Sequence, residues 1–146
     1  NYAAIGIFNG ASATIEGRKI YARTYGTGYV CTVRGSGTVT MNISEQIAGW
    51  HSVIAIRAFS GKLYVNTPRI FLDTGNIYGG NYKHCIICYD NLGGEAIVNA
   101  NLVVNNTAGY YGGISAAICR WTDSWMTLRV NGDIFAENQF GVYGLG

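Results

Sequence analysis

Four cysteines and two histidines are the first residues in this chain whose types suggest chemistry. Cys85 and Cys88 form a Cys-x-x-Cys step directly after His84, and with Cys31 and Cys119 they offer the thiolates and imidazole of a zinc site. The residues between them oppose it. Ile86 and Ile87 are strand formers with no turn residue among them, so positions 85 and 88 point to opposite faces of an extended segment and cannot readily share one ion. Cys88 and Cys119 fall at comparable places in successive repeats, within a residue of register. The expected state is therefore buried free thiols, with a single disulfide as the next alternative and a metal as the last. Reduced thiols fit assembly in a reducing compartment. No metal or cofactor is expected.

Carboxylates are the second resource. Glycoside hydrolysis needs two of them about 5 to 9.5 Å apart across the scissile bond. The eight present, Glu16, Glu45, Asp73, Asp90, Glu95, Asp123, Asp133 and Glu137, are dispersed. If the repeats stack, Asp90 and Asp123 approach each other just after the first strand of each, as do Asp73 and Glu137 farther on. Stacked strands lie only about 4.8 Å apart, so such pairs also arise by accident, and solvated turn acids are the plainer reading. Asp123 lies between Trp121 and Trp125, which makes it the favoured acid, with Asp90, should the chain be an enzyme; the balance leans against one. His51 and His84 accompany no nucleophile motif and are read as structural. Gly35-Ser36-Gly37 is read as a hairpin turn rather than a phosphate cradle, since no helix follows it.

Aromatic residues are the third. Tyr78, Tyr82, Tyr110, Tyr111, Phe140 and Tyr143 recur beside or near glycines at the ends of repeats, while Trp121 and Trp125 flank a polar turn. Exposed rings of this kind stack on sugars while Asn and Asp supply hydrogen bonds, so Trp121, Asp123, Trp125, Tyr78, Tyr82, Tyr110 and Tyr111 are the expected ligand-binding set. The competing expectation is that the rings fill the interior or a subunit interface. Two sequons, Asn42-Ile43-Ser44 and Asn105-Asn106-Thr107, matter only for a secreted eukaryotic protein.

Strands must position these groups. Charged residues are 12% of the 146, about half the roughly 25% usual in soluble proteins, with 21 Gly, one Pro and eleven Tyr. Such a composition excludes disorder, collagen and helical bundles. A net charge of +2 from scattered basic residues gives no nucleic-acid footprint, and no apolar run reaches the about 18 residues of a membrane span. No signal-peptide series opens the chain, and a start at Asn1 suggests a fragment of a longer one.

Internal repeats set the architecture. Segments starting at Ser52, His84 and Ala116 share a period of 32 residues: an apolar strand, a turn, a second strand ending in Val-Asn, a short third strand and a close on Tyr-Gly. The Val-Asn step recurs at Val65-Asn66, Val98-Asn99 and Val130-Asn131, with Met41-Asn42 in a shorter copy and Ile15-Glu16 in a divergent one. The expectation is one all-β domain over residues 1–146, with coils at about 3–28, 29–50, 52–80, 84–113 and 116–145. It is either a right-handed parallel β-solenoid or an intertwined trimeric β-fibre, with a β-propeller as a rival. In a solenoid the recurring Asn would form a ladder of amides bonded from coil to coil, satisfying groups otherwise buried unpaired.

The phrases LYVNTPRIFLDTGNIYGGN and LRVNGDIFAENQFGVYG resemble the distal parts of bacteriophage tail fibres and tailspikes, and VVNNTAGYYGGI resembles coils of β-helical surface adhesins. The resemblance covers the last two thirds of the chain and transfers no catalytic residue. It implies a homotrimeric receptor-binding protein of the virion, assembled in the host cytoplasm, or otherwise an extracellular surface protein. Its partner would be a bacterial surface polysaccharide or lipopolysaccharide, with no nucleic acid and no membrane insertion. The alternatives are a polysaccharide depolymerase and a structural fibre subunit without a ligand.

Overall fold

The computed structural model describes residues 3–8, 10–22, 29–34, 36–49, 54–57, 61–73, 83–89, 92–105, 114–120, 125–136 and 140–144. Twelve strands run through them and no helix: β1 (Ala3–Ile7), β2 (Ala13–Ala22), β3 (Tyr29–Arg34), β4 (Thr38–Gly49), β5 (Ile54–Arg57), β6 (Lys62–Asp73), β7 (Lys83–Tyr89), β8 (Leu92–Asn105), β9 (Ile114–Arg120), β10 (Trp125–Val130), β11 (Ile134–Ala136) and β12 (Phe140–Gly144). Their period-two patterning explains why they form. In β4, Val39, Met41 and Ile43 are buried while Thr38, Thr40 and Asn42 between them are half-exposed.

The strands divide between two parallel sheets. One has the order β1-β3-β5-β7-β9-β12; the other has β2-β4-β6-β8-β10, with β11 also on β8. No strand pairs with its neighbour in sequence, and the strands that pair are always parallel. Neither sheet closes on itself. Parallel pairing between repeats rules out the propeller, whose blades are self-contained antiparallel sheets.

Two expectations about local structure are corrected. The second and third strands of a repeat are one continuous bent strand in β4, β6 and β8; only the last repeat splits them, as β10 and β11. The bend is a bulge after the Asn. Asn66 faces Asn99 but Arg69 faces Asn101, so β6 carries one extra residue in a stretch that includes Pro68, whose missing N–H is tolerated at such an irregularity. Gly35-Ser36-Gly37 is no hairpin, because β3 and β4 belong to different sheets. Gly37 is buried at that corner, where a Cβ would stand 2.0 Å from the Ala11 carbonyl oxygen.

The core lies between the sheets and is built of rows running across the strands. Val39, Leu63 and Ala96 form one such row, Met41, Val65 and Val98 a second, and Ile47, Ile70 and Leu102 a third, all buried. Each Leu or Ile withdrawn from water contributes about 1.5 to 3 kcal/mol. In β7, Ile86 and Ile87 are both fully buried although adjacent, so both faces of the sheet are out of water there.

Candidate functional site

The Asn positions form a ladder. Asn66 donates from Nδ2 to Asn42 Oδ1 at 2.8 Å, Asn99 to Asn66 at 2.6 Å and Asn131 to Asn99 at 2.7 Å, over sequence separations of 24, 33 and 32 residues. Glu16 stands opposite Asn42 at the divergent end. The ladder forms as the repeat suggests, but its purpose differs. Asn42 is half-exposed and Asn66, Asn99 and Asn131 are exposed, so the amides mark the outside of the bend rather than satisfy a buried polar row. The buried polar group at the bend is Thr67 beside the ladder, whose Oγ1 has no hydrogen-bond partner.

Beyond the bend, the outer face of the second sheet is organised in rows. Tyr21, Ala48, Phe71, Val103 and Phe135 stand opposite one another on β2, β4, β6, β8 and β11. The aromatic members occupy every second place. Tyr21 is 65% and Phe135 55% exposed, Phe71 is half-buried, and Ala48 between Tyr21 and Phe71 is buried. The Arg69 guanidinium lies 4.4 Å over the Phe71 ring, a cation–π contact that fixes the ring's orientation. An open groove of about 660 Å³ follows the C-terminal part of this row, between Phe71 and Phe135 with Val103 between them.

Polar rows flank the aromatic one. On one side Arg69 stands opposite Asn101, and the Asn101 Oδ1 accepts from the Asp133 backbone N–H at 3.0 Å. On the other, Asp73 stands opposite Asn105. This band of flat apolar groups between hydrogen-bonding edges matches a sugar, whose C–H faces are apolar and whose rim carries hydroxyls.

Most of the ligand set expected from sequence, Trp121, Asp123, Tyr78, Tyr82, Tyr110 and Tyr111, lies outside the described residues, as does Asp90. Trp125 is described through its backbone, opposite Leu92, where β10 and β8 slip by a residue and Gly94 adopts a φ of 110°. The row of Tyr21, Phe71 and Phe135 was not singled out from sequence. Its signal was present in the aligned phrases RIFLD, NLVVN and DIFAE, which place Phe71, Val103 and Phe135 at one height.

Among described side chains the acids do not converge. Glu45 accepts from Arg18 at 2.8 Å in an exposed ion pair, worth about 0 to 1 kcal/mol, and Glu95 stands opposite Lys62. The row of Cys31 continues through Ile54, Ile87 and Ile118, and Cys88 stands opposite Cys119 one position along. Cys31 is buried, and desolvation pushes its thiol up from 9.0 to about 12. Among the described residues, no group of three or more His, Cys, Asp or Glu is placed to hold a metal ion. Comparison of the chain with protein-family models, with curated proteins and with solved structures found no match.

Proposed function

We propose that the chain is a stacked-coil β-solenoid, right-handed as parallel crossovers generally are, and that it works as a receptor-binding part of a fibre or spike. In this reading it is a homotrimer on a virion or other extracellular surface and attaches to bacterial surface polysaccharide or lipopolysaccharide. The observation that carries the reading is the Asn ladder, which holds equivalent residues of successive repeats at one height. Outer rows then step regularly by about 4.8 Å, a surface matched to a polymer that is itself a repeat. Three copies binding weakly at one particle give firm attachment through avidity. The resemblance to tail fibres and tailspikes points the same way.

A glycan array tests the proposal. Binding of bacterial polysaccharide probes is the expected result; silence across the array overturns it and leaves a shaft subunit that binds only itself. Release of reducing ends from a bound polysaccharide, abolished by Asp123→Asn, would replace attachment by depolymerisation.

A further inference from the structure

We propose that the outer row of Tyr21, Phe71 and Phe135 is a platform for an extended, neutral, β-linked polysaccharide laid across the strands, with one ring stacking at every second sugar. The inference rests on the glycan-attachment reading and names the ligand class and the residues that take it.

Spacing is the first argument. The three aromatic residues alternate with Ala48 and Val103 in a single row, so successive rings are two strand spacings, about 10 Å, apart. Each unit of an extended β-linked chain advances by close to one strand spacing, which brings alternate sugars over Tyr21, Phe71 and Phe135. A helical α-linked chain turns away from a straight row. Relief is the second argument. Ala48 and Val103 are small enough to leave the intervening sugars room between aromatic neighbours, and the groove between Phe71 and Phe135 is within the range of ligand sites, about 300 to 1,000 Å³.

Charge is the third. The rows beside the aromatic one carry two cations, Lys19 and Arg69, and an acid, Asp133, together with the amides Gln46, Asn101 and Asn105. Such mixed donors and acceptors suit hydroxyl groups and oppose a polyanion or a polycation. Arg69 spends the face of its guanidinium on Phe71, which leaves its in-plane N–H donors for the rim of a sugar.

The experiment is titration of the intact chain with cello-, xylo-, manno- and chitohexaose, each beside its disaccharide, and with maltohexaose. At least one β-linked hexaose should bind, at least tenfold tighter than its disaccharide, with little change between low and high salt. Maltohexaose should not compete. Phe135→Ala and Tyr21→Ala, both at exposed positions and checked for an unchanged thermal midpoint, should each weaken the hexaose about tenfold. Arg69→Gln should weaken it less. Binding of none of these β-linked probes overturns the platform. If an array finds another glycan that binds and both alanine variants leave it unaltered, the platform falls while attachment stands; if no glycan binds at all, both fall. Self-association that Phe135→Ala abolishes would make the row a subunit interface and overturn the platform too.

Discussion

Two buried side chains carry consequences that are testable one residue at a time. Thr67 is 6% exposed and its hydroxyl is unpartnered, so the fold bears the desolvation of that group without a compensating bond. Thr67→Val keeps the shape and removes the oxygen, and should raise stability by about 1 kcal/mol in urea unfolding; a loss would mean that the hydroxyl stabilises the bend. Cys31 gives a pH dependence. Its thiol stays protonated in the folded chain up to about 12 but ionises near 9.0 when unfolded, so the native state holds the extra proton between those values. Stability from this group is complete below pH 9 and is lost as pH rises towards 12. Unfolding at pH 8 and pH 10.5 should therefore show wild type losing its advantage over Cys31→Ala at the higher pH. A gap of constant size would contradict a buried thiol.

At the scale of elements, the bent strands and their ladder are coupled. Asn99→Ala deletes two amide bonds on the outside of the bend, and because water replaces them the net cost should be about 1 to 2 kcal/mol. A double-mutant cycle sharpens this. Asn66 and Asn99 share a bond, so Asn66→Ala with Asn99→Ala should be non-additive by about 0.5 kcal/mol or more, whereas Asn42→Ala with Asn131→Ala, which share none, should add. Additivity in both cycles would reduce the ladder to a coincidence of register. The strand interiors were legible in the sequence because burial on one face imposes period two, as Thr38 to Ile43 illustrates. The Val-Asn steps, read from sequence as strand ends, lie within continuous strands that bend there. A bulge keeps a strand paired while adding a residue, and nothing in the local pattern separates that from a break.

For the whole molecule, partners in the second sheet lie between 24 and 33 residues apart along the ladder, so the sheet is held by pairing between segments distant in sequence rather than by local contacts. If the proposed fibre is correct, sedimentation should give three times the 15.7 kDa chain mass, held on dilution; a folded monomer would rule out the trimer. The amino-acid sequence by itself determined that the chain is built of strands, that they repeat, and where equivalent residues fall. Composition, alternation and spacing are properties of the chain alone. Only the tertiary structure decided which strand each one pairs with, that the pairing is parallel, and that Cys88 stands directly opposite Cys119. It also decided that Tyr21 joins the row of Phe71 and Phe135, because that alignment depends on an extra residue in β4 that shifts its register by one against both β2 and β6. A one-residue slip moves a side chain to the other face, so the platform is defined by the summed register of the sheet rather than by any single segment of sequence.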